Sequence, residues 1–395
     1  MHILIIPSER YLPQDNHLHG IFQQHQAQAL IRAGHQVGVI SPFLYSLRSL
    51  RQGGRQVWAK GIQTESMEGV SIMRYFTWQI PRSRRLMLWQ WIRVGRALFQ
   101  EYIKRNGQPD IVHAHNALNA GILAADIKRK WGIPYLLTEH SSTYARGLVQ
   151  QMQLESAARA FEQADKRLVV SPGLGYDLER VVGGIVKPWQ YVPNILPAQF
   201  EKDFDEARVT QCSGVSFRFL NVGSLDENKN QIDLLRAFAD RFKDKDYIQL
   251  RIAGDGPLRS ALERLTFEFG IDRQVTFLGR IDHEQVFAEI RTCDVFALSS
   301  HYETFGVVLI EALACGKPVI ATRCGGPEGI VHEKNGILVP VKSVDALGQA
   351  MFDIQSGACQ FDYRQIRQDC IAKFGEQAVI KQLTNLYNDV LRVNH

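Results

Sequence analysis

Short apolar runs alternate with longer amphipathic stretches along almost the whole of this 395-residue chain, and the alternation runs twice. The first set opens with His2–Ile6. It continues through strands expected at Gln36–Ser41, Asp110–His113, Pro134–Thr138, Arg167–Ser171 and Gln190–Val192, with two short extended runs in 56–76. Helices are expected between them, including a basic one over 82–105 and one over Ala117–Trp131. A polar segment from Asn194 to Ser213 interrupts the pattern. It restarts at Phe217–Val222 and passes through Tyr247–Ala253, Val275–Leu278, Val295–Leu298, Val319–Ala321 and Ile337–Val339 before giving way to helix from Ser343. Strands that alternate with helices close as parallel sheets covered on both faces. Two such runs predict an α/β chain of two doubly wound domains facing each other across a cleft. Ligands in such sheets lie outside the carboxyl ends of the strands, where the strand order reverses.

One stretch carries the chemistry. Val295–Leu298 ends just before Ser300-His301-Tyr302-Glu303-Thr304-Phe305-Gly306, and Phe305–Cys315 is apolar enough for a buried helix that Gly316-Lys317-Pro318 stops. Glu303 then falls in a turn and Glu311 inside a helix, separated by roughly 12 Å at helical rise. An ionised carboxylate accepts two hydrogen bonds at once, which suits a vicinal diol at either end of a nucleotide-linked sugar. The first amides of the helix favour a diphosphate between them. The competing reading is a capping Glu before the helix and a solvated Glu on its outer face. This stretch alone does not choose between them.

Composition narrows the partners. Residues 1–195 hold 23 Lys and Arg against 13 Asp and Glu, leaving 23 of the chain's 46 basic residues against 28 of its 41 acidic ones for the remainder. A basic first half favours an anionic partner there, such as a phosphorylated acceptor or a membrane surface. No nucleic-acid recognition module accompanies the charge. The segment around Arg82, Arg84, Arg85, Arg93 and Arg96, interspersed with Leu86, Trp89 and Trp91, reads equally as a helix lying on an anionic bilayer or as a domain helix with a solvated basic face. The six cysteines form no C-x-x-C pair, the N-terminus reads as a first strand and not a signal peptide, and no run of apolar residues is long enough to span a membrane. A cytoplasmic protein with a peripheral membrane face is the resulting expectation.

Other motifs are weaker. Gly254-Asp255-Gly256-Pro257-Leu258 follows a strand but lacks the third glycine and the later acidic residue of a dinucleotide site, leaving a phosphate- or base-facing turn or a plain tight turn. Lys229, in the loop Asn221–Asn230 that contains Gly223, is a point charge for a phosphate or a solvated lysine. His113-Ala114-His115, His17-Leu18-His19 and Glu139-His140 have metal-ligating residue types but no spacing that fixes a full ligand set, and no metal is expected. Asp203-Phe204-Asp205 lies in the linker and Asp244-Lys245-Asp246 precedes its strand, so neither matches a cation site at a strand end.

Together these motifs resemble the retaining, nucleotide-sugar-dependent glycosyltransferases of family 4, which have the GT-B fold of two Rossmann-like domains with C-terminal helices. The resemblance rests on Glu303-x7-Glu311, Glu303-Thr304-Phe305-Gly306, Gly254–Leu258 and Cys324-Gly325-Gly326-Pro327-Glu328. It extends to Gly20-Ile21-Phe22, Gly34–Val37, His113–His115 and Val192-Pro193-Asn194. It implies an acceptor-side domain over 1–195, a donor-side domain over 196–375, and a helix over 376–395 crossing back to the first. It also implies hexosyl transfer from a UDP- or GDP-sugar to a saccharide or lipid-linked saccharide acceptor, without cofactor or metal. Glu311 would hold the ribose, Glu303 the transferred sugar, and the amides of Phe305, Gly306 and Val307 the sugar and diphosphate. Lys229 would neutralise the leaving group, with Gly20, Gly223, Ser224 and Gly254 against the donor, Arg280 near the base and His115 on the donor sugar. His19, Glu139 and His140 are the acceptor-side candidates. The family often has Arg where this chain has Ser224, and Arg251, Arg323 and Lys334 are candidates for the missing charge. A sugar-nucleotide epimerase of the same fold and a non-catalytic sugar-nucleotide-binding module are the alternatives.

Overall fold

The structure, a computed structural model, describes residues 1–13, 20–45, 60–79, 83–183, 188–202 and 216–394. His17, His19, Arg82, Cys212 and the Asp203-Phe204-Asp205 string lie outside these residues. The chain divides into two compact units. The first comprises Met1–Val170, Gly175–Ile195 and Val379–His395; the second comprises Ser171–Leu174 and Leu196–Ala378.

The first unit runs β1 (His2–Pro7), α1 (Ile21–Arg32), β2 (Gln36–Tyr45), β3 (Gly61–Met67), β4 (Val70–Trp78), α2 (Arg84–Asn106), β5 (Ile111–His115), α3 (Ile122–Trp131), β6 (Tyr135–Glu139), α4 (Gln151–Gln163), β7 (Lys166–Val169), α5 (Pro172–Val182, its first turn in the second unit) and β8 (Gln190–Tyr191). Its sheet has the order β3-β4-β2-β1-β5-β6-β7-β8, and every pairing is parallel except β3 with β4. All six residues of β1 are buried, as a strand covered on both faces requires. Ile3 and Ile5 pack with Ala27 and Leu30 of α1 and with Val379, Ile380, Leu383, Tyr387 and Val390 of the last helix. The chain goes from β1 outward to β2 on one side and returns through α2 to β5 on the other. The order therefore reverses between β1 and β5.

One expected helix is shorter than its pattern. Residues Ala117–Gly121 form an irregular turn in which Leu118 is extended and Asn119 has φ 67°, so regular helix starts only at Ile122. Ser8, after β1, explains the distortion. Its hydroxyl bonds the carbonyls of His115 (2.8 Å) and Leu118 and accepts from the Ala120 amide at 3.1 Å, competing with helical pairing.

The second unit contains α6 (Ala198–Lys202), β9 (Phe217–Val222), α7 (Gln231–Phe242), β10 (Ile248–Ala253), α8 (Arg259–Phe269), β11 (Val275–Gly279), α9 (His283–Thr292), β12 (Val295–Leu298), α10 (Val307–Ala314), β13 (Val319–Thr322), β14 (Gly336–Val339), α11 (Val344–Gln355) and α12 (Tyr363–Phe374). The start of α13 (Glu376–Asn394) also belongs to it. The sheet is parallel throughout, in the order β11-β10-β9-β12-β13-β14. Phe219, Phe238, Phe242, Leu250 and Ile252 are fully buried at its centre. Each such side chain contributes about 1.5–3 kcal/mol of burial free energy. Here the order reverses between β9 and β12, so the loops after these two strands leave the sheet side by side. On the helical side, Arg367 is nearly buried and donates to the carbonyls of Phe200 (2.8 Å), Glu201 (2.6 Å) and Ala314. It thereby closes the C-terminal ends of α6 and α10, whose last carbonyls lack intrahelical partners.

Candidate active site

The loop after β9 folds around one side chain. Asp226 accepts the Ser224 hydroxyl at 2.6 Å and the amides of Asn228 and Lys229 at 2.9 and 3.1 Å. The neighbouring loop after β12 is sewn to it. The His301 amide donates to Asn228 O at 2.7 Å, the Asn228 side chain to Tyr302 O at 3.0 Å, and Ser299 Oγ to Lys229 O at 2.9 Å. This stitching delivers Lys229 Nζ to Glu303 Oε1 at 2.5 Å, and Ser300 Oγ donates to the same oxygen at 2.7 Å. Lys229 is 25% exposed and Glu303 13%, so the pair is partly desolvated yet open to an incoming group. A charge-assisted bond there is stronger than one between neutral partners.

Close backbone approach explains two of the glycines. A Cβ at Gly254 would lie 1.8 Å from Gly223 O, and one at Gly326 would lie 2.5 Å from backbone atoms of Phe305. Glu303 itself is held through its main chain, its amide donating to Cys324 O at 3.0 Å and its carbonyl accepting from Gly326 at 2.7 Å. Gly306, with φ 98°, then turns the chain into α10. Phe305 is buried against Phe374, with ring centroids 5.9 Å apart, while the first amides of α10 lack intrahelical partners.

Glu311 is 3% exposed, which removes the reading of a solvated Glu on an outer helix face. Burial pushes its carboxyl up to about 8. Its facing group is His283 Nε2 at 3.7 Å, and burial lowers that imidazole. Gln199 Nε2 donates to His283 Nδ1 at 2.7 Å, leaving the ring proton on Nε2, toward Glu311. Folding therefore keeps Glu311 protonated at pH values where the unfolded chain ionises it. Its contribution to stability must fall as pH rises from the ordinary carboxyl range through about 8. Glu311→Gln is expected to match the parent in melting temperature at pH 5 and to exceed it at pH 8.5. A melting difference that is the same at both pH values would contradict the assignment.

At the carboxyl edge of the first unit the imidazoles of His113 and His115 stack, with centroids 4.4 Å apart, and His140 meets the edge of the His115 ring. His113 is fully buried, with Nδ1 2.7 Å from Tyr387 Oη and Nε2 2.7 Å from Thr138 Oγ1. His115 Nδ1 lies 2.9 Å from His140 Nε2, while its own Nε2 is buried without a partner among the described residues. Burial lowers all three, His113 to about 3 and His140 to about 4. Glu139 is fully buried and pushed up to about 7 by burial, against the amides of Ala117 (2.9 Å), His140 (3.1 Å) and Ser141 (2.9 Å) that its oxygens accept. Its side chain is spent on holding loops, which leaves it no contact to offer an acceptor. The Gly20 amide opens α1 and donates to Glu9 Oε1 at 3.2 Å.

The structure brings Gly223, Ser224, Lys229, Gly254, Glu303, Phe305, Gly306 and Val307 to one edge of the second sheet, with the exposed Arg280 just past β11 on the same edge. Two of the substitute cations fall away. Arg251 is held bidentately by Glu289 at 2.6 and 2.7 Å, and Lys334 precedes β14 at the opposite, amino edge. Arg323, exposed at the carboxyl end of β13, is the candidate at the right edge. Asp244 and Asp246 are exposed, and among the described residues no group of three His, Cys, Asp or Glu is placed to hold a metal ion. Sequence reasoning missed Asp226, which the Ser224-x-Asp226-x-Asn228 turn signature offered. It also missed His283, for which no local signal exists.

Comparison with known proteins identifies the family and the fold. The family model Glycosyltransferase Family 4 matches residues 22–199, and Glycosyl transferases group 1 matches residues 207–363. N-acetyl-alpha-D-glucosaminyl L-malate synthase of Bacillus anthracis is 31% identical over 72% of this chain and 75% of its own length. Among solved structures, sucrose-phosphate synthase of Thermosynechococcus elongatus superposes with a TM-score of 0.77 over 100% of both chains at 23% identity. The Anabaena protein HepE, solved with UDP-glucose, superposes at 0.71 over 98% of this chain and 100% of its own at 18% identity. With these likenesses the fold is GT-B, and the chain belongs to the family 4 glycosyltransferases.

Proposed function

We propose that this glycosyltransferase moves a hexosyl unit from a UDP- or GDP-sugar to an acceptor hydroxyl, with retention at the anomeric carbon, in polysaccharide, lipopolysaccharide or glycolipid assembly. The observation that carries the reading is the Lys229–Glu303 pair at the switch point of the second sheet, beside the mouth of α10. The diphosphate draws Lys229 away from Glu303 and rests on it and on the amides of Phe305, Gly306 and Val307. Glu303, still held by Ser300, takes hydroxyls of the transferred sugar. Glu311 accepts the ribose diol and Arg280 lies by the base. Bond breaking is assisted by charge placed beforehand where the leaving group develops its own. Attack from the same face lets a donor phosphate oxygen accept the acceptor's proton, with no enzyme nucleophile. Because Lys229 and the amides serve the diphosphate, turnover is expected to survive chelation of divalent metals.

Support for the donor class comes from HepE, solved with UDP-glucose, and for glycan products from sucrose-phosphate synthase. The test is a thermal-shift screen of UDP-, GDP-, ADP- and CDP-sugars, since a ligand that binds only the folded state stabilises it by mass action. The best donor is then incubated with saccharide and lipid-linked acceptors, and the anomeric configuration of the product is read by NMR. An inverted product would overturn retention. An altered sugar nucleotide formed without acceptor would indicate an epimerase, and stabilisation without turnover a binding module.

The same reading places an anionic membrane at the first unit. Ser83 caps α2, whose opening turns expose Arg84, Arg85, Leu86 and Trp89, with Arg93 stacked over the Trp89 ring at 5.4 Å. Arg84 Nη1 reaches Gln153 of α4 at 3.4 Å, beside the exposed Leu148 and Met152. The start of α2 follows β4 and the start of α4 follows β6, so this apolar and basic face rims the carboxyl edge that bears His115. Among the described residues no helix is long and apolar enough to cross a membrane. The protein is expected to float with anionic vesicles at low salt. Both added salt and the pair Leu86→Ser with Trp89→Ser should weaken flotation. Equal recovery with neutral and anionic vesicles would contradict the docking face.

A further inference from the structure

Two glycines, Gly173 and Gly175, stand in the opening turns of α5, although only proline is a poorer helix former than glycine. Neither has a positive φ, so the backbone conformation does not require them. Their surroundings differ. A Cβ at Gly175 would lie 3.5 Å from Val169 Cγ2 and 3.8 Å from Trp189 Cβ, which are ordinary contact distances. One at Gly173 would lie 2.7 Å from Gly325 O and 3.1 Å from the carbonyl carbon and Cα of Gly325, closer than packed atoms come. Ser171–Leu174 belongs to the second unit, so this contact is internal to it, although β7 before it and α5 from Gly175 onward belong to the first.

Gly325 has little room to yield. It forms a parallel bridge with Glu303, a Cβ on it would lie 2.9 Å from Glu303 O, and its amide donates to Glu328 Oε2 at 2.9 Å. Gly326 beside it is pressed as closely on Phe305, and farther along the loop Lys373 Nζ donates to Gly329 O at 2.8 Å. Bare backbone is thus stacked in layers: Gly173, then Gly325 and Gly326, then Glu303 to Phe305. Close-packed layers pass a displacement on instead of absorbing it. We infer that Gly173 is a positioning residue for Glu303. Its missing side chain lets α5 back the Cys324–Gly326 stretch, and that stretch fixes the main chain from which the Glu303 carboxylate meets Lys229 and Ser300. Ser171 holds the opening turn of α5 in place, its hydroxyl accepting the Leu174 amide at 3.2 Å. The inference rests on the reading that Glu303 takes hydroxyls of the transferred sugar, and it adds the residue that sets where Glu303 stands.

The test compares Gly173→Ala with Gly175→Ala in the full chain. Both substitutions gain helix propensity, but only the first inserts an atom against Gly325. Gly175→Ala should melt at or above the parent, and Gly173→Ala at least about 3 °C below Gly175→Ala. Equal melting temperatures would overturn the close approach. Calorimetry then gives Kd for UDP and UDP-glucose, and for GDP and GDP-mannose, and the pair that the parent binds is followed through the variants. In Gly173→Ala the Kd of the diphosphate should stay within about twofold, while the ratio of the sugar-nucleotide Kd to the diphosphate Kd should rise about tenfold, the scale of one hydrogen bond to a charged group. Gly175→Ala should keep the parental ratio. A Gly173→Ala protein that loses both affinities alike, or keeps the parental ratio, would overturn the positioning role. Ser171→Ala loosens the same turn without inserting an atom and should raise the ratio by a smaller factor, so a parental ratio there would also count against the inference. Glu303→Gln separates the two levels. If it leaves the ratio unchanged, the sugar contact of Glu303 is wrong, whereas the melting comparison reports on the Gly173 contact regardless.

Discussion

Lys229→Ala is expected to lower the turnover number by roughly 10²–10³, the scale of losing one preorganised group that stabilises developing charge. The prediction follows from how Lys229 is held. Its backbone is fixed by Asp226 and Ser299, and its ammonium is delivered to Glu303 without bulk water between them. No part of the leaving group's charge has to wait for this side chain to find its place. The substitution also leaves Glu303 without its cation. The control is therefore Lys229→Arg, which keeps the charge but in a planar fork that fits a diphosphate differently. It should lie between the parent and Lys229→Ala. A Lys229→Ala enzyme with parental turnover would remove Lys229 from the leaving group, whatever happens to the donor KM.

Glu311→Ala is expected to raise the donor KM by about 10- to 100-fold with little change in turnover. A hydrogen bond to a charged group is worth about 1.5–3 kcal/mol, and the ribose is held alike in the ground and transition states. The buried setting adds a pH signature. Burial pushes the Glu311 carboxyl up to about 8, and a ribose diol donating two hydrogen bonds binds the ionised form. Donor affinity should therefore rise with pH up to about 8 and then level off, with proton release on binding below that value. Burial is what shapes this response, with His283 facing Glu311 at 3.7 Å and Gln199 behind it. A variant with normal donor KM but slow turnover would contradict the ribose assignment, as would parental donor affinity that falls between pH 6 and 8.

The alternation of strand and helix is a local property, and so the two doubly wound sheets were readable from periodicity, though not the antiparallel pairing of β3 with β4. The same holds for Glu303 and Lys229, because both sit in loops directly after strands that the pattern marks. What periodicity cannot express is contact across a sheet. The pairing of Arg251 with Glu289 joins a strand to a helix three elements later, and it removed a cation that the chain pattern had offered for the charge missing at Ser224. The burial of Glu311 depends on His283 and Gln199, which no local motif brings together. The His115–His140 bond links the ends of two adjacent strands. Ala117–Trp131 shows the opposite failure, an apolar helical pattern whose first turn is overridden by the hydroxyl of Ser8, on a distant stretch of chain.

The most direct measurement is a crystal structure of the protein with the nucleoside diphosphate that the thermal screen selects. The account predicts the phosphates within hydrogen-bond distance of Lys229 Nζ and the opening amides of the Val307–Ala314 helix. It also predicts the ribose hydroxyls on the Glu311 carboxylate and Glu303 freed for a sugar. A nucleotide bound away from the carboxyl ends of Phe217–Val222 and Val295–Leu298, or one that leaves Glu311 still facing only His283, would contradict it.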